Sequence, residues 1–242
     1  MGSPRASRVT VDTSISEGGT IGSAFFICKL ALFAEIELFW YCVCRQFTIY
    51  HRMNTASKRL VIGVVGLGGG GKDTVCAYLA EYYGFTFVST SDYIREHITR
   101  NGLGDLSAEN LNRRSTELRR ELGPDFPTRQ ILEAHVRTTQ LVLGGLRVVA
   151  EGECVKSAGG IIISVDASVE VRYRHALRRA RPGESKSFAE FVALDKKEAA
   201  GSDPTTHNVN ALMASAELRI MNDGSLEDLY RKTDEIIALI AP

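Results

Sequence analysis

One stretch of the chain combines residue types that could bind a polyphosphate. Residues 66–74 read Gly-Leu-Gly-Gly-Gly-Gly-Lys-Asp-Thr, which fits the pattern G-x-x-x-x-G-K. A loop that wraps a polyphosphate turns its backbone N–H groups inward, and glycines allow the required torsions without side chains blocking the approach. Lys72 adds a mobile positive charge for the β- and γ-phosphates. The predicted nucleotide-binding residues of this phosphate-binding loop (P-loop) are Gly66, Gly68, Gly69, Gly70, Gly71, Lys72, Asp73 and Thr74.

Asp73 is the unusual residue of the P-loop, because it occupies the position where a serine or threonine is expected. A carboxylate beside a bound triphosphate repels it unless Mg²⁺ or its water shell lies between them. We therefore predict that Asp73 faces the hydration shell of Mg²⁺ and that Thr74 supplies the hydroxyl nearest to the phosphates. A dinucleotide-binding G-x-G-x-x-G pattern also fits Gly66, Gly68 and Gly71, but it explains Lys72 less well.

The elements around the P-loop predict an α/β protein. Leu60–Val65 is a short apolar run typical of a buried parallel strand, and the P-loop is followed by a helical pattern that ends at Gly84. Further strands are predicted at 85–88, 146–150, 161–166 and from Leu218 onward, with helical segments between them. Strands that alternate with helices form a parallel sheet, with the ligand at the carboxyl ends of the strands.

The P-loop and a second segment resemble the P-loop nucleoside-monophosphate-kinase-like family, which includes adenylate kinases and dephospho-coenzyme A kinases. Gly71-Lys72-Asp73-Thr74 is similar to a loop variant of that family, and Ser89–Arg95 is similar to its S-T-G-D-x-x-R acceptor segment. The resemblance implies that Thr90, Asp92 and Arg95 contact a small nucleotide acceptor. It also implies mobile acceptor-binding helices, and Arg119 is the predicted acceptor contact on the helix marked by Leu111, Leu118 and Leu122.

The same resemblance assigns three further parts of the site. Glu151, at the end of the predicted strand 146–150, would lie near magnesium, although the segment 153–160 lacks the arginine that related kinases carry. Arg178 to Ser187 resembles a short lid, in which Arg178 and Arg179 would contact the transferring phosphoryl group. The turn with Asn222 and Gly224 would border the adenine, and Ser225 would cap a last helix over 226–240.

The resemblance implies a three-layer α/β/α fold with a five-stranded parallel sheet in the order 2-3-1-4-5 and a short lid. It implies an ATP-dependent phosphotransferase that uses Mg²⁺ and moves the γ-phosphate of ATP to a nucleoside monophosphate or a similar small nucleotide. Two alternatives stay open at this point. One is a kinase of dephospho-coenzyme A, and the other is a non-catalytic ATP-binding module, which the missing arginine after Glu151 motivates.

Composition excludes several other classes of function. The 29 basic and 29 acidic residues of the 242-residue chain balance, so no basic field exists to gather nucleic acid or an anionic membrane. Five cysteines without CxxC spacing favour a reducing, cytoplasmic location over a disulfide framework, and the five histidines show no metal-binding pair. The sequence leaves the acceptor and the oligomeric state open.

Residues 1–52 differ from the rest of the chain. A Ser/Gly/Thr-rich start leads into an apolar and aromatic stretch over 24–44, but Lys29, Glu35 and Glu37 interrupt it, which disfavours a membrane-spanning helix. Met53 stands shortly before the first strand. We predict a kinase-like domain over 53–242 and a poorly structured extension over 1–52, which is either an artefact of gene-start assignment or an organelle-targeting presequence.

Overall fold

Five short strands form one parallel sheet in a computed structural model, which describes residues 59–179, 187–199, 201 and 203–240. The strands follow the spatial order β2-β3-β1-β4-β5, and every neighbouring pair is parallel. This confirms the predicted fold class and strand order. The strands are β1 Leu60–Val65, β2 Thr86–Ser89, β3 Gln140–Gly144, β4 Ile161–Asp166 and β5 Leu218–Met221.

The central strands form the core because helices cover both faces of the sheet. Successive side chains of a strand point to opposite faces of the sheet. Ile62 and Val64 belong to one face of β1, Val61 and Val65 belong to the other, and all four are buried. A strand that is buried on both faces needs a continuous apolar run rather than an alternating one. This is why β1 and β4 are recognisable in the sequence.

Nine helices surround the sheet in the described part of the chain, where none is long and apolar enough to cross a membrane. Their bounds are α1 Lys72–Tyr83, α2 Thr90–Arg100, α3 Ala108–Leu122, α4 Thr128–Ala134, α5 Val149–Ser157, α6 Val169–Arg179, α7 Phe188–Ala199, α8 Val209–Ala214 and α9 Leu226–Ile240. The predicted stop of α1 is confirmed, because Gly84 adopts a left-handed conformation at its C-cap. The predicted cap of α9 is also confirmed, since Ser225 Oγ accepts from the backbone N–H of Asp228.

The predicted strand at 146–150 is wrong. The strand beside β1 is Gln140–Gly144, whereas Val149 and Ala150 already belong to α5. Both segments are short apolar runs, and such runs do not distinguish a strand from the start of a buried helix. The chain turns between them at Gly145, whose φ is +79°. Glu151 therefore lies in the first turn of a helix rather than at the end of a strand.

Helices α2 and α3 pack together beside the carboxyl end of β2. Ile94 and Ile98 of α2 form a small apolar cluster with Leu118 of α3 and Phe126. This cluster fixes the helix that carries Arg119. After β4, the guanidinium of Arg172 in α6 makes two hydrogen bonds to Asp195 of α7, at 2.6 and 2.8 Å. The predicted extension over 1–52 and most of the predicted lid, residues 180–186, lie outside the described residues.

Candidate active site

The P-loop connects β1 to α1, and distant side chains hold its carbonyl groups. Asn222, at the end of β5, donates from Nδ2 to the carbonyl of Gly70 at 3.0 Å. Nδ1 of His175 in α6 lies 2.8 Å from the carbonyl oxygen of Gly69. A carbonyl only accepts, so this ring nitrogen carries a proton. Because both carbonyls are bound on the protein side, the neighbouring N–H groups are left to face a ligand.

Gly71 shows why this loop requires glycine. Its φ is +100°, in the left-handed region, and it forms the N-cap of α1. A Cβ atom at this position would collide with Nδ2 of Asn222. Any side chain would therefore introduce backbone strain and break the contact between β5 and the loop. At Gly68, by contrast, a Cβ atom would meet no protein atom within 4 Å.

Lys72 is the first residue of α1, and it is 7% exposed. Burial lowers the pKa of Lys72, Asp73 raises it, and Arg147 and Arg179 lower it further. Nζ lies 3.6 Å from Oδ1 of Asp73, whose side chain is half exposed. Arg147 and Arg179 are thus each close enough to Lys72 to disfavour its charged form, and an anion bound beside Lys72 would favour that form.

A cavity of about 550 Å³ opens in front of the P-loop, and we call it the P-loop cavity. It brings together Arg178 and Arg179 of the predicted lid with seven of the ten predicted nucleotide-binding residues, whereas Gly66, Gly68 and Gly70 do not line it. Arg178 and Arg179 reach it from the exposed end of α6, while Asn222 and Gly224 line its opposite side. The other lining residues are Gly69, Gly71, Lys72, Asp73, Thr74, His175, Ser225, Leu226 and Leu229. Gly66 approaches β4, where an added Cβ would collide with the carbonyl of Val165.

A second cavity of about 190 Å³ lies between α2, α3 and the turn after β3. We call it the arginine cavity, because Arg95, Arg119 and Arg147 line it. Its other lining residues are Thr90, Ser91, Ile94, Leu111, Asn112, Ser115, Gly145 and His207. The predicted acceptor residues Thr90, Arg95 and Arg119 therefore lie together. Asp92 does not line this cavity, and its carboxylate instead accepts from Nη1 of Arg95 at 2.6 Å.

Arg119 and Glu151 form a buried ion pair at the wall of the arginine cavity. Arg119 is 2% exposed and Glu151 is 0% exposed. The Nη2 and Nε atoms of Arg119 donate to Oε1 of Glu151 at 2.9 and 3.3 Å. The other carboxylate oxygen accepts from the backbone N–H groups of Arg147, at 2.6 Å, and Val148. The remaining nitrogen, Nη1 of Arg119, is buried and has no hydrogen-bond partner among the described residues.

These contacts bear on the predicted magnesium role of Glu151. Its two oxygens already accept from Arg119 and from two backbone amides, so its carboxylate is turned away from solvent. Asp73 and Thr74 line the P-loop cavity instead. The described residues contain no group of three or more His, Cys, Asp or Glu side chains that could hold an ion by themselves.

Three residues of these cavities were missed in the sequence. Arg147 follows the glycine pair after β3, and that position at the carboxyl edge of the sheet is the signal that could have identified it. His175 and His207 come from separate segments and carry no sequence signal. The pKa of His207 is lowered to about 3, first by burial and then by Arg147 and Arg119, so its ring is neutral at pH 7.

The chain is similar to several known proteins in sequence and in fold. A family model described as an AAA domain matches residues 65–191. The UPF0200 protein of Aeropyrum pernix is 34% identical over 174 residues, which cover 71% of this chain and 89% of that protein. A UPF0200 protein of Thermococcus sibiricus is 29% identical over 73% of this chain and 93% of its own length.

Among solved structures, TT1252 from Thermus thermophilus superposes with a TM-score of 0.50 at 22% identity, over 76% of this chain and 100% of that one. This likeness concerns the fold alone. The family match spans more than half of the chain, including the P-loop from Gly66 to Thr74, and the relative from Aeropyrum pernix is covered almost completely. The chain therefore belongs to the UPF0200 family and contains a P-loop AAA domain.

Proposed function

We propose that this protein is an ATP-dependent phosphotransferase whose acceptor is a small molecule with an anionic group, a nucleoside monophosphate in the first instance. The observation that carries the proposal is the pairing of two cation-lined cavities. Lys72 lines the P-loop cavity and Arg147 lines the arginine cavity, and the two charges are close enough for Arg147 to lower the pKa of Lys72. A phosphoryl group that passes between the cavities stays within reach of both cations.

The lining of the arginine cavity favours an acceptor whose attacking oxygen is already negatively charged. Among the described residues, three guanidinium groups line this cavity and no carboxylate does. The imidazole of His207, with a pKa lowered to about 3, is a weak base at neutral pH. An alcohol acceptor must lose its proton and benefits from a general base, whereas a phosphate oxygen needs none. This supports a nucleoside monophosphate over the ribose hydroxyl of dephospho-coenzyme A.

The protein would contribute position and charge rather than covalent chemistry. In this mechanism the P-loop amides bind the β- and γ-phosphates, and Lys72 stabilises the charge that develops on the transferring group. Arg178 and Arg179 approach the same phosphates from the end of α6, and Arg147 faces them from the acceptor side. Arg119 orients the acceptor anion through Nη1, and Glu151 holds the guanidinium in place as a positioning residue.

Asp73 and Thr74 fit a magnesium ion that is bound together with the nucleotide. Mg²⁺ keeps several waters and is commonly bound through one or two carboxylates plus substrate phosphates. The exposed carboxylate of Asp73 at the mouth of the P-loop cavity suits such an ion, whereas the buried Glu151 does not. When bound, the ion would neutralise charge on the triphosphate.

The test is phosphoryl transfer from ATP-Mg to AMP, CMP, GMP, UMP and dephospho-coenzyme A. We expect transfer to at least one nucleoside monophosphate and a loss of about 100-fold or more in kcat for Lys72→Ala. Lys196→Ala is the matched control, because this exposed lysine of α7 lines neither cavity.

Other outcomes separate the alternatives. Transfer to dephospho-coenzyme A alone would overturn the anionic-acceptor assignment but keep the phosphotransferase. ATP binding in calorimetry without transfer or hydrolysis would identify a non-catalytic ATP-binding module. Equal rates for the wild type and Lys72→Ala would remove Lys72 from the mechanism.

A further inference from the structure

Helix α6 lies directly against the P-loop at Gly69. The φ of Gly69 is +80°, in the left-handed region, and a Cβ atom at this position would collide with the carbonyl oxygen of Arg172 in α6. The backbones of the helix and the loop therefore approach each other with no room for a side chain between them. By itself, this contact fixes the distance of α6 from the loop but not the rotation of the helix about its axis.

His175 makes a second contact to the same glycine, one turn further along α6. Its Nδ1 donates to the carbonyl oxygen of Gly69 at 2.8 Å. Residues three and four apart share one face of a helix, so Arg178 and Arg179 follow His175 on its side of α6. All three side chains line the P-loop cavity. The hydrogen bond of His175 therefore sets which face of α6 is turned toward the P-loop.

The two halves of α6 are held to different degrees. The first half is fixed, because the buried guanidinium of Arg172 makes two hydrogen bonds to Asp195 of α7. The second half ends at Arg178 and Arg179, which are both exposed. Long exposed side chains keep much of their rotamer freedom, so the direction of the helix face decides where their guanidinium groups can reach. Arg179 already lies near enough to Lys72 to lower the pKa of that lysine.

On the basis of the proposed function, we propose that His175 is a positioning residue that directs Arg179 toward the γ-phosphate of ATP. It acts through Gly69, so the loop that binds the phosphates also sets the helix that carries the arginine. Asn222 holds the neighbouring carbonyl, that of Gly70, from the end of β5, and this bond does not involve α6. Asn222 therefore supports binding of the whole polyphosphate, whereas His175 supports the γ-phosphate and its transfer.

Calorimetry of the full chain with ATP-Mg and ADP-Mg tests this role without turnover. The ratio of the two Kd values measures what the γ-phosphate adds to binding, and ATP should bind more tightly than ADP to the wild type. His175→Leu removes the donor and should reduce this ratio about fivefold. His175→Asn keeps a donor near the position of Nδ1 and should stay within about twofold of the wild type.

Two further variants separate this effect from general damage to the loop. Asn222→Ala should weaken the binding of ATP and ADP alike, so the ratio of their Kd values should not change. His135→Leu is the matched histidine control, since that ring contacts Thr138 Oγ1 and lines neither cavity. Its Kd values and its kcat should equal those of the wild type.

A double-mutant cycle on kcat tests whether His175 acts through Arg179. Arg179→Gln alone should lower kcat about 100-fold, and His175→Leu alone should lower it about tenfold. If His175 only positions Arg179, the double variant should be within about twofold of Arg179→Gln, because the two losses are then the same loss. The acceptor KM of His175→Leu should not change, since His175 does not line the arginine cavity.

Several results would overturn the inference. Equal Kd values of ATP and ADP in the wild type would show that no side chain gains from the γ-phosphate. Multiplying losses in the double variant would show that His175 acts independently of Arg179. If His175→Asn is as impaired as His175→Leu, the ring contacts the nucleotide itself through Nε2.

Failure of this inference is distinguishable from failure of the proposed function. If phosphoryl transfer occurs but His175→Leu equals the wild type in kcat and in the ratio of Kd values, the phosphotransferase stands and His175 has no positioning role. If no acceptor is phosphorylated, the phosphotransferase assignment is wrong, and the ratio of Kd values alone decides whether His175 directs Arg179 to the γ-phosphate.

Discussion

The two cavities are built in different ways although they share one edge of the sheet. The P-loop cavity has one continuous segment, 69–74, along one part of its lining, and the glycines of that segment expose backbone to the cavity. The arginine cavity is formed by side chains from α2, α3, the turn after β3 and the turn over 203–208. The first depends on torsion angles and the second on long side chains held by ion pairs. Substitutions in the P-loop should therefore act through the backbone torsions, and substitutions in the arginine cavity should act through the loss of ion pairs.

Glu151→Gln should have the largest effect on stability, because it removes the only charge that pairs with the buried guanidinium of Arg119 in the described structure. An uncompensated buried charge costs about 3 kcal/mol or more, so the free energy of unfolding should fall by that amount. Chemical denaturation measures it. Glu153→Gln on the same helix is the control, since that side chain is 60% exposed and lies 3.9 Å from Lys156. Equal stability of the two variants would show that the buried pair is dispensable.

Gly71→Ala should damage the P-loop cavity through the backbone. Its φ of +100° is strained for alanine, and the added Cβ collides with Asn222. We expect a loss of about 2 kcal/mol in the free energy of unfolding and an increase of about tenfold or more in Kd for ATP. Gly68→Ala, where the Cβ meets open space, should stay within about 0.5 kcal/mol of the wild type. If the Gly71→Ala and Gly68→Ala variants have the same free energy of unfolding, the left-handed torsion of Gly71 is not what makes the P-loop sensitive to substitution.

Asp73→Asn should separate metal-dependent from metal-free nucleotide binding. The carboxylate stands beside the P-loop cavity, 3.6 Å from Nζ of Lys72. Without it, we expect ATP-Mg to bind several-fold more weakly, by about 1 kcal/mol, while ATP in EDTA binds equally well or more tightly. Calorimetry with and without Mg²⁺ measures both. Equal tightening in the two conditions would show that Asp73 has no role toward the metal.

His207→Asn should have the smallest of these effects, which is a change in how the free energy of unfolding falls below pH 7. An unfolded histidine titrates near ~6.5, whereas His207 in the fold has a pKa of about 3. Below pH 6.5 the unfolded chain binds a proton that the folded chain does not, so stability falls as the pH drops through this window. The variant should lose about 1 kcal/mol less than the wild type between pH 7 and pH 5.5. A parallel decline in both proteins would mean that His207 titrates normally in the fold.

The fold and the P-loop were predictable because their signals are local. A buried strand, four consecutive glycines and a lysine lie within a few residues of one another, and Asn222 and Gly224 belong to a recognisable turn before α9. The exception is β3, because two apolar runs flank the glycine pair and nothing local shows which of them pairs with β1.

The arginine cavity was only partly predictable because its residues meet through tertiary structure. Arg95 and Arg119 lie in segments with a family resemblance, whereas Arg147 and His207 are 60 residues apart and meet through a backbone hydrogen bond from Asn208. Glu151 was assigned to a metal because it was expected at the end of a strand. Glu151 instead lies in the first turn of α5, and its carboxylate pairs with Arg119.

The two hydrogen bonds that hold the P-loop carbonyls have a consequence for biosynthesis. Asn222 is 152 residues away from Gly70 along the chain, and His175 is 106 residues away from Gly69. The ribosome therefore releases the glycines long before the residues that fix their shape, and the entropy of closing these long loops must be overcome afterwards. ATP should be unable to assist folding of the nascent chain until β5 has emerged, so chains truncated before Asn222 should bind ATP poorly.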